Sequence, residues 1–142
     1  MLISTKGRYA LRVMIELAEH KSDEYVPLKV IAEKQSISIK YLENIIPVLS
    51  KAGIIDGLKG KGGGYRLNRS PKEYSVGDIL RLTEGTLVPV ACLNCKPNKC
   101  EKAISCRTLP MWEGLNAVIT NYLDNYSIAD LIDTSNKGEY QI

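Results

Sequence analysis

Residues 36–68 read SISIKYLENIIPVLSKAGIIDGLKGKGGGYRLN and predict, in succession, a turn, a helix and a β-hairpin. A polar turn at 36–38 precedes a helix that opens with Ser38 as its cap and closes at Gly53, a residue suited to a left-handed helix end. The apolar residues at helical spacing are Ile39, Leu42, Ile45, Ile46 and Leu49. Pro47 removes one backbone hydrogen bond, so we expect a kink there but no break in the helix.

The second half of this segment predicts the hairpin. Two short strand-like runs, 54–58 and 65–68, flank a tip of lysines and glycines at 59–64, and two strands joined through glycines are typical of a hairpin. A nucleotide-binding loop is excluded because the tip lacks the Gly-Lys-Ser/Thr that opens a helix in such loops and runs into a strand instead.

Helices are predicted on both sides of this turn, helix and hairpin. The predicted segments share helical apolar spacing and are 6–20, a short helix after Pro27, 76–84 and 108–123. Ser75 with Asp78 is expected to cap the helix over 76–84, and Ser127 with Asp130 opens a last short helical turn. The predicted fold is mainly α (α+β): a winged helix-turn-helix domain with a two-stranded wing and a long C-terminal helix.

The chain divides into four expected segments. They are a winged helix-turn-helix domain at 1–84, a cysteine-rich loop without regular patterning at 85–107, a long helix with a short C-terminal helix at 108–133, and a flexible polar tail at 134–142. A long loop without structure of its own is usually functional or disordered. The cysteine-rich loop is therefore a candidate site.

Composition and charge narrow the function classes. The 142 residues are 44% apolar and 25% charged, which is ordinary for one soluble domain. No apolar run approaches the length of a membrane span, and the start lacks a hydrophobic signal core, so we expect a cytoplasmic protein. Residues 1–72 hold 13 Lys and Arg against 7 Asp and Glu, or +6, whereas residues 73–142 hold 6 against 9, or −3. A basic first half favours a polyanionic partner, although scattered surface charge explains the difference equally well.

The order of these elements favours binding to double-stranded DNA. In a helix-turn-helix the second helix places its first turns in the major groove, and a basic wing suits the negative potential of a narrow minor groove. The candidate DNA-binding residues are Ser38, Lys40, Tyr41 and Asn44 on the helix, and Lys59, Lys61, Gly62, Gly63, Gly64 and Tyr65 on the wing. Each feature alone is more often packing or an ordinary turn, but their combination in this order indicates a DNA-binding protein.

Four cysteines lie within fifteen residues in the pattern Cys92-x2-Cys95-x4-Cys100-x5-Cys106. A reducing cytosol disfavours structural disulfides, whereas four thiolates can converge on one metal site. The spacing leaves zinc and an iron–sulfur cluster equally open because only the first two cysteines form a tight pair. Free or redox-active thiols without metal are the alternative. The cations expected to lower the thiol pKa values are Lys96, Lys99, Lys102 and Arg107.

Four motifs occur in order along the chain. They are Ser4-Thr5-Lys6-Gly7-Arg8-Tyr9-Ala10-Leu11 at the start, Tyr41-Leu42-Glu43 in the third helix, Gly60-Lys61-Gly62-Gly63-Gly64-Tyr65 in the wing, and Cys106-x5-Trp112 entering the long helix. Together they resemble the bacterial winged-helix regulators of the IscR, NsrR and CymR type, the Rrf2 family, over nearly the whole chain. The resemblance implies a transcriptional regulator, expected as a repressor, that acts on a pseudo-palindromic operator at the nucleoid.

The resemblance also implies a homodimer built through the long helix. The implied dimer stripe is Trp112, Leu115, Ile119 and Tyr122. Packing of this face within its own subunit is the weaker alternative, because 142 residues leave little to cover so long a helix. Two-fold symmetry would place two recognition helices on one operator.

An iron–sulfur cluster is the cofactor that the resemblance implies, held by three cysteines of the loop and one ligand that varies. The candidate ligands are Cys92, Cys95, Cys100 and Cys106. The last two match the family's second and third cysteines, and either of the first two could be its first. One branch uses a histidine where this chain has Leu109, and another uses an acidic residue of the partner's first helix where this chain has Arg8. The single histidine, His20, is expected at the surface. The extra cysteine is therefore expected to complete an all-cysteine site, of [2Fe–2S] or [4Fe–4S] type.

Coupling between the cysteine loop and DNA is the expected mechanism. The presence or oxidation of the cluster would change the spacing of the two recognition helices and thereby DNA affinity. One alternative is a regulator of the same fold that senses thiol oxidation, zinc or a partner protein without a cluster. A second is a thiol redox enzyme, which rests on the Cys92-x-x-Cys95 pair alone and lacks a Ser/His/Asp set. A third is a protein-binding module, which leaves the basic wing unexplained.

Overall fold

The computed structural model describes residues 2–94 and 98–136. Within these ranges the helices and strands are α1 (Thr5–Glu19), α2 (Leu28–Gln35), α3 (Ile39–Lys51), β1 (Ile55–Leu58), β2 (Gly64–Leu67), α4 (Val76–Glu84), α5 (Leu109–Asp124) and α6 (Ile128–Asn136). Short 3-10 turns lie at Pro71–Glu73 and Ala91–Leu93. The predicted fold class, mainly α with a two-stranded wing, is confirmed.

The turn between α2 and α3 is fixed by a left-handed residue, a buried apolar residue and a cap. Ser36 ends α2 with a φ of 54°, and its N–H donates to the carbonyl of Ala32. Ile37 places its side chain in the core, with 3% exposed. Ser38 then accepts a hydrogen bond from the N–H of Tyr41 at 3.1 Å. The cap satisfies a donor that would otherwise lack a partner at the start of α3.

α3 runs through Pro47 as one helix, as its apolar spacing predicts. Its buried residues, each 4% exposed or less, are Leu42, Ile45, Ile46 and Leu49. Burying each of these side chains contributes about 1.5–3 kcal/mol. Gly53 follows the helix with a φ of 73°, which is the left-handed conformation expected there.

The wing is an antiparallel hairpin tied to the helical core. β1 and β2 pair with Ile55 opposite Leu67. Val26, in the segment before α2, extends this pairing, because its N–H donates to the carbonyl of Tyr65 at 2.8 Å and the N–H of Tyr65 donates back at 2.9 Å. The base of the wing is therefore held by backbone hydrogen bonds on both sides.

The larger of two hydrophobic clusters in the described residues lies between α1, α2, α3, the hairpin, α4 and α6. Its fully buried side chains include Val13, Met14, Ile31, Leu42, Leu49 and Ile128. α1 is the central element and packs against α2, α3, α4, α6 and β2. Ile128 belongs to α6, and its N–H donates to the carbonyl of Tyr74 at 3.0 Å. The C-terminal helix, predicted as a short turn, is thus a longer helix that closes the core of the winged domain.

The predicted helix caps form, with one difference in partner. Ser127 accepts from the N–H of Asp130 at 3.1 Å, and the carboxylate of Asp130 accepts from the N–H of Ser127 at 2.9 Å. Ser75 accepts from the N–H of Asp78 at 3.0 Å. The carboxylate of Asp78 instead accepts from Arg81 at 3.2 Å, because the guanidinium lies three residues later on the same helix face.

α5 is the least covered helix of the fold. It packs against α4, and none of its residues is fully buried. Arg81 and Asp124 form an ion pair between these helices with a nitrogen–oxygen distance of 2.8 Å. Gly77 lies beside this pair, where a Cβ would strike the Asp124 carboxylate. The C-terminal end of α5 is therefore fixed to the winged domain. Of the helices in the described ranges, none combines the length and apolar character of a membrane span.

Candidate nucleic-acid interface and cysteine segment

The exposed face of α3 begins at its first turn. Ser38, Lys40 and Asn44 are exposed, and Lys40 and Asn44 lie one turn apart on the same face. The Ser38 hydroxyl oxygen accepts the capping bond, which leaves its hydrogen free to donate. A cation, an amide and a hydroxyl in this arrangement can contact both phosphates and base edges.

Tyr41 has a structural contact in addition to its place on this helix. Its half-buried ring meets Tyr9 of α1 edge to face, with ring centroids 5.1 Å apart. Arg12 lies over the Tyr9 ring, with its guanidinium carbon 5.0 Å from the centroid. Tyr41 therefore positions the first turns of α3 against α1.

A hydrogen-bonded network behind the turn joins α1 to the end of α2. Glu16 is 4% exposed, accepts from the side-chain amide of Gln35 at 2.9 Å and lies 2.8 Å from Nε2 of His20. Arg12 donates to the Gln35 side chain at 3.2 Å and also to its carbonyl. His20, which we expected at the surface, is a half-buried partner of a buried carboxylate. The spacing of Glu16 and His20, four residues apart at the C-terminal end of the predicted first helix, was the available signal.

The tip of the wing presents positive charge on a tight turn. Lys59 and Lys61 are exposed. The N–H of Gly63 donates to the carbonyl of Gly60 at 3.0 Å, and Gly62 has a φ of 79° with open space around it. The two lysines therefore extend into solvent from a backbone that can approach a phosphate chain closely.

Three other residues of the predicted wing site have contacts within the chain. A Cβ on Gly63 would strike the carbonyl of Leu58, and a Cβ on Gly64 would strike the carbonyl of Val26. Tyr65 is half-buried and exchanges backbone hydrogen bonds with Val26. Gly63 and Gly64 are therefore needed for close backbone packing within the chain itself, against Leu58 and Val26.

The described cysteines of the segment form no metal-binding group. Cys92 and Cys106 are half-buried, Cys100 is exposed, and these three are free thiols. Cys95 lies outside the described residues. Over residues 2–94 and 98–136, no group of three or more His, Cys, Asp or Glu could hold a metal ion. The predicted four-cysteine site, which includes Cys95, therefore stays a prediction.

Cys106 is a polarised thiol at the entrance of α5. Its Sγ lies 3.4 Å from Oγ1 of Thr108. Hydrogen bonds from the side chain and then the backbone of Thr108 lower the pKa of the Cys106 thiol. We expected neighbouring cations to have this effect, but hydrogen bonds to Thr108, the residue just before α5, are the cause here.

α5 carries an apolar stripe in solvent. The exposed apolar side chains are Met111, Leu115, Val118 and Tyr122, with 56, 41, 65 and 61% exposed. Their spacing of four, three and four residues is that of a helix seam that packs against another helix. Leu115 and Tyr122 belong to the stripe predicted from the sequence, whereas Trp112 and Ile119 are half-buried in this structure.

A helix-turn-helix with a basic wing, followed by a cysteine segment and a long uncovered helix, defines a winged-helix transcriptional regulator. The chain belongs to the Rrf2 family, whose model is described as an iron-dependent transcriptional regulator and matches residues 3–134. The family predicted from the four sequence motifs is thereby confirmed.

Individual relatives agree with this assignment. The chain is 33% identical over 139 residues to the HTH-type transcriptional regulator IscR of Photobacterium profundum, and the match spans 98% of this chain and 80% of that protein. It is 35% identical over 132 residues to IscR of Vibrio cholerae, and that match spans 93% of this chain and 75% of that protein. These relatives are named transcriptional regulators, so this protein is a transcriptional regulator and not an enzyme.

Solved structures of two kinds of regulator share the fold. CymR, described as the global cysteine regulator of B. subtilis, has a TM-score of 0.78 at 34% identity and covers 94% of this chain and 98% of its own. T. potens IscR has a TM-score of 0.77 at 36% identity, and the match covers 100% of this chain and 94% of that chain. The oxidized form of Staphylococcus aureus CymR has a TM-score of 0.69 at 33% identity, and the match covers 100% of this chain and 99% of that chain.

Proposed function

We propose that this regulator binds a pseudo-palindromic operator as a homodimer and represses transcription there, and that an iron–sulfur cluster on its cysteine segment sets its affinity for DNA. The observation that carries the proposal is the position of Cys106. Its polarised thiol stands two residues before the N-cap of α5, the helix whose apolar stripe is uncovered. A change at this thiol therefore acts directly on the start of the helix that joins the subunits.

The DNA contacts proposed here follow from exposure and charge. Lys40 and Asn44 occupy one exposed face of α3, and Lys59 and Lys61 lie exposed at the wing tip. α3 would enter the major groove while the wing lysines approach the adjacent backbone or minor groove. Two copies related by a two-fold axis would then bind two half-sites of one operator.

A second copy of the chain would cover the stripe of α5. Met111 and Val118 are more than half exposed, and large apolar side chains aligned on one helix face are typical of an interface. Because Arg81 and Asp124 fix the far end of α5 to α4, a shift of the helix pair would move both winged domains. A movement of the cysteine segment at the start of α5 would in this way change the positions of the DNA-binding surfaces.

Thiolates are the ligands that iron–sulfur clusters take, so the donor chemistry of the segment fits such a group. The residues that would hold it are Cys92, Cys95, Cys100 and Cys106. A bound cluster would supply a redox-sensitive link among these thiolates. The chain contributes a thiol at Cys106 whose lowered pKa favours the thiolate. It also anchors the start of the segment through Leu87, which packs with Val76 and Leu80.

Thiol oxidation without a cluster is the second candidate, and the same polarised Cys106 favours it. A thiol with a lowered pKa and partial exposure is the kind that reacts with oxidants. One similar structure is an oxidized form of CymR. In this second candidate, oxidation of the thiols is the signal. The signal would reach the winged domain by the same route, from Cys106 through α5.

An absorption spectrum with iron and sulfide analysis, on protein purified without oxygen, separates the two candidates. A cluster gives broad absorbance between roughly 320 and 600 nm with matching iron and sulfide, and the Cys106→Ala variant should lose it. A colourless protein that cannot be reconstituted, and whose DNA affinity changes on mild oxidation, supports thiol sensing. A colourless protein whose affinity for DNA does not change on oxidation contradicts both the cluster and the thiol-oxidation candidates.

Salt dependence tests the DNA interface separately. Replacing Lys59 and Lys61 by Ala should lower the slope of log affinity against log salt concentration by about one for each phosphate that is no longer neutralised. The matched control replaces Lys51 and Lys72, two exposed lysines away from the wing tip, and should leave the slope closer to that of the wild type. Equal slopes in both double variants would contradict a wing contact.

A further inference from the structure

We infer that Ile39 is a specificity-determining residue of the DNA interface and that it contacts the C5-methyl group of a thymine in each operator half-site. This inference rests on the proposed entry of α3 into the major groove. It adds a residue that sequence reasoning assigned to the apolar face of the helix.

Ile39 stands apart from the other large apolar residues of α3. It is the first residue of the helix, and 45% of it is exposed. Leu42, Ile45, Ile46 and Leu49 on the same helix are each 4% exposed or less. Ile39 is therefore not part of the buried core of the winged domain, and much of its apolar side chain lies in solvent.

The neighbours of Ile39 place it at the proposed base-reading end of the helix. Ser38 before it and Lys40 after it are both exposed and can bind phosphates or base edges. In the major groove the thymine C5-methyl is the apolar group that a base edge presents, and apolar side chains contact it. An isoleucine between two polar contacts has the chemistry to recognise that methyl group.

The first turn of α3 is also rigid, which suits a residue that selects one base. Ser38 caps the turn through the N–H of Tyr41 at 3.1 Å, and the Tyr41 ring is held against Tyr9. The β-branched side chain of Ile39 has few χ1 rotamers. Little conformational freedom is then lost when the side chain meets a thymine methyl, so the contact is preorganised.

Deoxyuridine substitution tests the contact because it removes only the methyl group. The probe is a fluorescein-labelled duplex, selected by the full chain from a random-sequence pool, in which thymines are replaced one at a time. Wild-type protein should lose affinity about fourfold at one thymine position per half-site, the effect of one methylene-sized group. Replacement in both half-sites should multiply this loss to about fifteenfold.

The Ile39 variants assign the effect to the residue. Ile39→Ala should bind the thymine and uracil duplexes equally at that position, while Ile39→Val retains part of the difference. Lys40→Ala is the matched control and should weaken binding to both duplexes by the same factor. Because Ile39 is exposed, the circular dichroism spectrum and melting temperature of Ile39→Ala should remain close to those of the wild type.

Three results would overturn the inference while leaving DNA binding intact. They are a selected sequence without thymine in the half-sites, equal wild-type affinity for every uracil duplex, and an unchanged thymine preference in Ile39→Ala. Failure to select any duplex, with binding indifferent to salt, would instead overturn the proposed function and this inference together.

Discussion

The winged domain and the α5 region are organised differently, although one chain of 142 residues forms both. In the winged domain, a serine side chain caps the start of α1, α3 and α4, and most large apolar side chains of these helices are buried. In the α5 region, none of the residues of the helix is fully buried, and the described cysteines do not form a metal-binding group. The first region is complete as a single chain, whereas on our proposal a second copy and a bound group complete the other.

The largest expected effect lies in the core of the winged domain. Leu42→Ala should lower the free energy of unfolding by about 2–5 kcal/mol, because Leu42 is fully buried and its truncation leaves a cavity. Ile39→Ala on the same helix, at 45% exposure, should cost about 0.5 kcal/mol or less. Urea denaturation measures both, and equal losses would contradict the difference in packing between the two residues.

A charge on the α5 stripe should separate the subunits without unfolding the winged domain. Val118→Asp places a carboxylate at a position that is 65% exposed in one chain and buried in the proposed dimer. The dimer dissociation constant should rise at least about thirtyfold, or about 2 kcal/mol, as at the centre of other interfaces. Analytical ultracentrifugation measures this constant. Glu113→Asp, which alters an exposed acidic residue outside the stripe, is the control, and a Val118→Asp variant that remains dimeric would contradict the proposed interface.

A smaller effect is expected at Tyr74, which joins the wing to the core. Its hydroxyl donates to the carbonyl of Ile54 at 2.8 Å and accepts from the N–H groups of Asn68 and Arg69 at 3.1 Å each. Tyr74→Phe leaves these groups without that partner, so it should cost about 1–3 kcal/mol. Tyr25→Phe, at a half-buried ring outside this hydrogen-bond network and outside the α5 stripe, should cost about 0.5 kcal/mol or less. Urea denaturation compares the two variants, and equal losses would contradict a structural role for the Tyr74 hydroxyl.

Tyr74 also predicts a pH dependence. Burial raises the pKa of Tyr74 above its usual value near 10, partly offset by the N–H groups of Asn68 and Arg69. The unfolded tyrosine therefore ionises at lower pH than the folded one. Its contribution to stability is complete below about pH 10 and falls as the pH rises toward the folded pKa. Urea denaturation from pH 7 to 11 should show a shallower alkaline decline in Tyr74→Phe, and an identical decline would contradict this origin.

The smallest effect is expected at the cysteine segment. Thr108→Val removes the hydroxyl that polarises Cys106, so the pKa of this thiol should rise toward its ordinary value. The rate of iodoacetamide labelling of Cys106 near pH 7 should fall by a few fold, since the thiolate is the reactive form. Peptide mass spectrometry resolves each cysteine, and Cys100 serves as the internal control. Equal slowing at both cysteines would contradict a local hydrogen bond.

Local signals explain why the winged domain could be predicted from the sequence. Ser38 and Gly53 mark the ends of α3, and the apolar residues between them recur at helical spacing. Two details could not be predicted from neighbouring residues in the sequence. The Gly64 backbone conformation serves a contact with Val26, which is distant in sequence, and Ile128 at the start of α6 is buried in the core of the preceding helices.

The candidate site was less predictable because its partners are not neighbours in the sequence. Ile39 has the same spacing as the buried residues of α3, so periodicity alone assigns it to the core, and only its exposure separates it from Leu42. Trp112 and Ile119 likewise fit the apolar stripe of α5 by spacing, yet they are half-buried. The cysteine pattern gives the donor chemistry but not the arrangement, since the described thiols do not converge.

The coupling of the cysteine segment to DNA is tested most directly by one comparison of affinities. Fluorescence anisotropy with the selected duplex, without oxygen, would measure wild type and Cys106→Ala after treatment with iron and sulfide and after removal of both. We predict that the wild-type dissociation constants differ by about 5–150-fold, the usual range of coupling between two sites, and that the Cys106→Ala values are the same after either treatment. Wild-type and variant affinities that agree with each other under both treatments would contradict this prediction.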